Sequence, residues 1–244
     1  MDWDGCVAVN NRVIASAGRL IARHLGRVAI ISNNSTHLPE DFAAILADSG
    51  LAVPIERIFL AGVETIRAVA ARGPARVLMF SSAKMRRFAR ELGVTLVRDE
   101  PDIVVLMRDA RFTYAKLERA ANAVRDGAKL IVANGDRTHP GPAGRLVPET
   151  GALLAALRSC VGEQMDVEIF GKPSPLLFER ACQTLGITPQ QAVMIGDNPE
   201  TDGEGARRIG MPSIIVGGDS GLRMEDLVAP DGLLLSSVAL LRSA

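Results

Sequence analysis

RVAIISNNSTHLPEDFAAILADSG, residues 27–50, holds the pattern on which the fold turns. Its first part is an unbroken apolar run of strand length ending at Ser32, and a strand buried on both faces reads this way. Asn33 and Asn34 interrupt it as turn formers. From Pro39, apolar residues recur at helical spacing through Phe42, Ile45 and Leu46, and Gly50 stops them. A buried strand that feeds a helix through a short polar turn is the repeating unit of a parallel α/β sheet.

The same rhythm runs outward along the chain. RIFLA (57–61) precedes a helical VETIRAVAARG, RVLMF (76–80) precedes KMRRFARELG, and VTLV and DIVVLM lead to a helix from Tyr114 to Asp126 and then KLIVAN. HPGPAGRLVPETG (139–151) is rich in Pro and Gly and reads as an irregular loop, followed by a helix at LLAALRSCVG. Beyond it come VEIFG, a helix from Pro175 to Gly186, AVMIGD, a helix around EGARRIG, PSIIVGG and a terminal GLLLSSVALL. The fold class expected is therefore α/β.

The 244 residues are 48% hydrophobic, enough for a substantial core. Lys plus Arg balance Asp plus Glu at 28 each, so no long-range field draws the chain to nucleic acid or to an anionic membrane. Any anion it handles is captured locally. Cys6, Cys160 and Cys182 have neither zinc nor redox spacing and read as reduced thiols, Cys6 as a small buried hydrophobe; with no signal peptide or apolar span, the expected location is cytoplasmic.

Four polar clusters stand at the ends of apolar runs: Asp2 and Asp4; Ser32 with Asn33; Lys172; and Asp197 with Asp202. Open α/β sheets bind ligands at the carboxyl ends of their strands, so a parallel sheet would gather these four. Together they offer carboxylates for a hard divalent cation such as Mg²⁺, a lysine, and hydroxyl and amide groups for oxygen atoms. None of His24, His37 and His139 is paired at zinc spacing. An aspartate can act as nucleophile toward a phosphoryl group, and a second acid can then handle the protons. In extended backbone, residues two apart share a face, which would let Asp2 and Asp4 reach one crevice.

DWDG, ISNNS, GKPSP and GDNPETD, in that order, resemble the four motifs of haloacid dehalogenase-like (HAD) phosphatases. RFTYAKLERAANAVRDGAKLIVANGD and PGPAGRLVPETG resemble the α/β cap of class IIA, the branch with 4-nitrophenyl phosphatase, pyridoxal phosphatase, phosphoglycolate phosphatase and nucleotide phosphatases. The resemblance implies a Rossmann-like parallel-sheet core at 1–72 and 164–244 and an inserted cap at 73–163. It implies Asp2 as nucleophile and Asp4 as general acid/base. Mg²⁺ would sit on Asp2, the backbone carbonyl of Asp4, and Asp197, with Asp202 and Asn198 supporting. Ser32 and Asn33 would bind the phosphoryl group and Lys172 would neutralise it.

Three features depart from the pattern. Only Met1 precedes Asp2, where the family has an apolar strand, so the expectation is that the natural chain begins upstream and that the core without this strand has a slot. Cys6 and Gly203 replace residues more usual at their places, and His37 stands where relatives often have Arg. Arg108, Asp109 and Arg111 read either as substrate contacts or as a surface charge cluster.

The expected function is Mg²⁺-dependent hydrolysis of a small phosphorylated metabolite through an aspartyl-phosphate, with no nucleic acid or membrane partner and with pairing into a homodimer through the cap. A non-catalytic phosphometabolite binder and a phosphotransferase to another acceptor are the alternatives. No G-x-G-x-x-G follows an early strand, which argues against a dinucleotide oxidoreductase.

Overall fold

The computed structural model describes residues 1–141 and 145–228, and these form two compact units. The reading of a terminal element at 232–241 lies outside the described residues.

The first unit comprises Met1–Ser32, Pro39–Phe59 and the chain from Pro175 onward. A hairpin of β1 (Ala8–Val9) and β2 (Arg12–Val13) turns through Asn10 and Asn11, both at positive φ, which asparagine tolerates and which a two-residue hairpin loop demands. Helix α1 (Ala15–Arg23) buries Ala17, Leu20 and Ile21. Strand β3 (Ile30–Ser32) is fully buried, and helix α2 (Pro39–Asp48) starts on proline with Glu40 and Asp41 in its first turn, where they complement the helix dipole. Strand β4 (Ile58–Leu60) pairs with β3.

Helix α3 (Ala61–Ala71) opens the second unit, which comprises Asn33–Leu38 and Leu60–Ser174. Its sheet is built from β5 (Arg76–Phe80), β6 (Thr95–Leu96), β7 (Ile103–Leu106), β8 (Lys129–Val132) and β11 (Val167–Ile169), all parallel, in the order β11-β8-β7-β5-β6. Helices α4 (Ala83–Glu91), α5 (Tyr114–Arg125) and α6 (Thr150–Val161) complete it. Leu78, Phe80, Val104, Leu106, Leu130 and Val132 pack with Ala120 of α5 and Leu154 and Leu157 of α6. The alternate residues Val77, Met79, Ile103, Val105 and Ile131 are buried as well. Burial on both faces is why RVLMF, IVVL and KLIV read as continuous apolar runs.

Residues 139–140 and 146–148, expected in an irregular loop, are strand. Strands β9 (Thr138–Pro140) and β10 (Leu146–Pro148) form an antiparallel ladder pairing His139 with Val147, and α6 already begins at Thr150. Proline has no N–H for a ladder and is confined to its margins, and here Pro140 and Pro148 occupy ladder ends, so the composition masked the strands.

Returning to the first unit, α7 (Leu176–Leu185) ends on Gly186 in the left-handed region. Strands β12 (Met194–Gly196) and β13 (Ser213–Ile215) are parallel neighbours. Between them a π-helical turn (Pro199–Gly203) runs into α8 (Glu204–Arg208).

Candidate active site

Met1 and Asp2 lie in strand-like register in the first unit. Asp2 N–H donates to the Ile195 carbonyl at 2.8 Å, Ile31 N–H donates to the Met1 carbonyl at 2.9 Å, and Asp2 forms a parallel bridge with Ile31. This anchors Asp2 against β3 and β12, and its side chain is buried. The chain does not stay extended. It turns at Trp3, whose carbonyl accepts the N–H groups of Val7 and Ala8, and Gly5 has φ +82°. Asp4 is consequently exposed, and the shared face expected of Asp2 and Asp4 from an extended backbone gives way to a turn. Trp3 is fully buried and stacks on Phe42 with ring centroids 4.2 Å apart, which fixes the turn in the core.

Asp197 follows β12 directly and Asp202 sits in the π-helical turn. Carboxylate oxygens of Asp2, Asp197 and Asp202 all lie within 4.8 Å of one another, with Asp2 and Asp202 buried and Asp197 exposed. At that distance each pair of like charges repels by about 3–4 kcal/mol at an effective dielectric constant near 20. The space that admits the cluster is made by glycines: a Cβ on Gly5 would overlap Asp197, and one on Gly196 would overlap Asp202. Three oxygen donors in a cradle that a methyl group would fill suit a hard divalent cation. Asp202 Oδ2 accepts Asn198 N–H at 3.2 Å, and Asn198 Oδ1 accepts Glu200 N–H at 2.8 Å, so Asn198 organises the loop that carries both acids. Ser32 is buried at the end of β3.

Cys6 lies below this cluster, fully buried, its thiol donating to the Ile195 carbonyl at 3.4 Å. Burial first, and then the negative charge of Asp2, push the thiol far above its ordinary pKa, which keeps it neutral.

Asn33 and Lys172 belong to the second unit. Asn33 Nδ2 donates to the Lys172 carbonyl at 3.1 Å while its Oδ1 accepts Lys172 N–H at 2.7 Å. Nδ2 also donates to the Asp136 carboxylate at 3.0 and 3.1 Å, and Asn134 Nδ2 donates to the Asn33 carbonyl at 2.7 Å. Gly171 permits the approach, since a Cβ there would lie 2.6 Å from Asn33 Oδ1 and 2.7 Å from the Ala133 carbonyl. The Lys172 side chain is buried. Asn34 closes the following turn, its Oδ1 accepting the N–H groups of Thr36 and His37.

Asp136, Asn134 and the three glycines escaped the sequence reading, because their roles depend on neighbours distant in the chain. So did a polar group around Glu149, whose Oε1 lies 2.7 Å from His139 Nδ1 and 3.5 Å from Arg108 Nε. Burial raises the Glu149 pKa, opposed by Arg108 and His139. Of the charges at 108–111 in the second unit, Asp109 is buried against Lys116 at 2.6 Å and accepts Arg111 N–H, a structural arrangement.

A family model described as haloacid dehalogenase-like hydrolase matches residues 1–95, and a second, described as HAD-hydrolase-like, matches residues 169–238. The chain is 31% identical over 208 residues to an acid sugar phosphatase of Staphylococcus saprophyticus, covering 83% of this chain and 79% of that one. The fold superposes on the p-nitrophenyl phosphatase from Archaeoglobus fulgidus with a TM-score of 0.81 at 26% identity, covering 96% of this chain and 90% of that chain. It superposes on the glycerol phosphate phosphatase from Mycobacterium tuberculosis in complex with magnesium with a TM-score of 0.78 at 30% identity, covering 88% of this chain and 66% of that chain.

Proposed function

Because the chain belongs to the haloacid dehalogenase-like hydrolases, in the capped class IIA phosphatase branch, and is thereby a phosphoric monoester hydrolase, we propose that Asp2 is its nucleophile toward a small phosphorylated metabolite. The observation that carries this reading is the meeting of Asp2, Asp197 and Asp202 in a cradle cleared by Gly5 and Gly196.

Asp2 and Asp197, with the Asp4 carbonyl, would hold Mg²⁺, and Asp202 and Asn198 would support the loop. When bound, the cation neutralises charge on the phosphoryl oxygens. A carboxylate oxygen of Asp2 attacks phosphorus, the ester P–O bond breaks, and Asp4 gives its proton to the departing oxygen. Asp4 then takes a proton from water, whose oxygen attacks the same phosphorus; the bond to Asp2 breaks and inorganic phosphate leaves. Ser32 through its hydroxyl and Asn33 through its backbone N–H hydrogen-bond the phosphoryl oxygens, and Lys172 balances their charge.

The relatives, an acid sugar phosphatase and a glycerol phosphate phosphatase, support a small polyol or sugar phosphate as substrate. In this reading residues 73–163 serve as the cap that excludes water during transfer, with 1–72 and 164–244 as core. Exposed Tyr114 and Leu146 of the second unit support pairing through the cap. No helix among the described residues is long and apolar enough to cross a membrane, and Cys6, Cys160 and Cys182 are unpaired, which supports a reducing, cytoplasmic setting.

The test is hydrolysis of 4-nitrophenyl phosphate with Mg²⁺ and with EDTA, joined to mass spectrometry of acid-quenched protein. Metal-dependent turnover and a phosphoryl adduct on Asp2 are expected. Turnover that persists in EDTA, or an adduct on another residue, would sink the reading.

A further inference from the structure

In the five-stranded sheet of the second unit, Leu106 of β7 pairs with Val132 of β8, and Val132 pairs with Ile169 of β11. Two residues past that row stand Arg108, Asn134 and Gly171, and Lys172 follows directly. This is the edge at which parallel sheets take ligands. Arg108 and Lys172 leave it two strand spacings apart, about 10 Å. They are also tied by a chain of side chains. Asn33 holds the Lys172 backbone and donates to Asp136. Besides burial, which is the largest cause, the charge of Asp136 raises the Glu149 pKa, so the two acids sense each other. Glu149 Oε1 in turn lies 3.5 Å from Arg108 Nε.

Both ends of the Arg108–Glu149 pair are fixed by backbone. Arg108 N–H donates to Ser35 Oγ at 3.1 Å, and Ser35 is buried two residues past Asn33. A Cβ on Gly151 would overlap the Gly135 and Asp136 carbonyls, so the start of α6, which Glu149 precedes, packs directly on the turn that carries Asp136. The pair is not spent on itself. Its 3.5 Å approach is longer than a good hydrogen bond, and among the described residues no hydrogen bond engages Arg108 Nη1 or Nη2, or Glu149 Oε2. The Arg108 side chain is 31% exposed and that of Glu149 15%, so both remain open to a ligand. An acceptor oxygen beside several N–H donors, neutral as a pair, complements hydroxyl groups, each of which both donates and accepts. A carboxylate or second phosphate on the ligand would instead meet two acids, Glu149 and Asp136, for one arginine.

We propose that Arg108 and Glu149 are specificity-determining residues that read the hydroxyl groups of the leaving alcohol, so that the substrate is the phosphate monoester of a neutral polyol. The assignment rests on the phosphoryl group lying at Lys172, as in the function proposed above. Arg108 donates to one hydroxyl oxygen, and Glu149 accepts the proton of the neighbouring hydroxyl. His139, with Nδ1 2.7 Å from Glu149 Oε1, positions the carboxylate.

The experiment compares kcat/KM for racemic glycerol 3-phosphate and for propyl phosphate, the same ester without its two hydroxyls, on the full chain with Mg²⁺. The parent chain is expected to favour glycerol 3-phosphate by about a hundredfold or more, since a site built to hydrogen-bond hydroxyls rejects the analogue that lacks them. Arg108→Leu and Glu149→Gln should each cut that ratio by about tenfold or more. The ratio compares two esters on one protein, so a lower folded fraction cancels. A parent ratio near one, or a ratio unchanged in either variant, would overturn the proposal. Faster turnover of 3-phosphoglycerate than of glycerol 3-phosphate would do the same, because it gives Arg108 to a carboxylate, and so would failure to hydrolyse either three-carbon ester. The phosphoryl adduct on Asp2 is read separately, so the nucleophile and the specificity pair can each fail alone.

Discussion

Asn33 and Lys172 are locked together through a two-point bond between a side-chain amide and a backbone: Nδ2 to the Lys172 carbonyl at 3.1 Å and Lys172 N–H to Oδ1 at 2.7 Å. Their separation of 139 positions in the chain puts no local constraint on this pairing. An amide is the side chain that can donate and accept at once from one planar group, and a peptide bond offers the matching pair. The second N–H of Asn33 goes to Asp136, so both donors and the acceptor are used. The backbone from which the buried Lys172 side chain departs is thereby fixed.

Asn33→Asp keeps the volume and removes the donor. The new carboxylate would face the Lys172 carbonyl and the Asp136 carboxylate, replacing attraction with repulsion. Activity toward 4-nitrophenyl phosphate should fall about a hundredfold, the scale of a misplacement near 1 Å in a positioned catalytic group. Steady-state kinetics on the folded variant is the check, and unchanged kcat/KM would show that the lock does not position Lys172 for catalysis.

Asp2→Asn should lower kcat by at least about a thousandfold, as expected for a lost covalent nucleophile. The fold should survive, because Asp2 crowds two other carboxylates and the neutral amide relieves repulsion. A melting temperature equal to or above that of the parent chain, with lost turnover, is the expected pair of results; retained turnover would remove Asp2 from its assigned role.

The parallel α/β rhythm was legible because strands buried on both faces leave unbroken apolar runs and the helices between them carry caps and glycine stops. The β9–β10 ladder was not, since Pro140 and Pro148 lie within it and Leu146 is exposed, so neither composition nor alternation marks it. At the site, Asp2, Asp197 and Ser32 stand out as polar residues closing apolar runs. Asp202 meets Asp2 only through the π-helical turn, a local geometry that spacing does not announce. Asp136 sits in a polar stretch like any other, and its partnership with Asn33 arises from tertiary packing alone.

Gly196→Ala tests the cradle. Gly196 has ordinary backbone angles, so the cost of a methyl group comes from its overlap with Asp202 rather than from strain. Overpacking of this kind costs about 1–3 kcal/mol. Displacement of a carboxylate that supports a metal shell lowers metal affinity about 10–100-fold. Mg²⁺ titration of activity should shift to higher concentration by that factor; an unshifted titration in a destabilised variant would confine Asp202 to a structural role.

Glu149 gives the fold a pH dependence with a definite sign. Burial raises its pKa above the ordinary 4.5, so its ionised form is disfavoured in the folded protein. Below pH 4.5 the carboxyl is protonated folded and unfolded alike, and its contribution to stability is fully present. As pH rises through the raised folded value that contribution is lost, at no more than about 1.4 kcal/mol per pH unit. Glu149→Gln cannot ionise, and it also removes the contact with His139, so the informative quantity is slope rather than absolute stability. Denaturant unfolding from pH 4 to 7 should show the parent chain losing stability relative to Glu149→Gln just above pH 4.5, with the two curves running parallel at higher pH. Curves parallel throughout would mean that Arg108 and His139 offset the burial completely, which would overturn the upward shift assigned to this carboxyl.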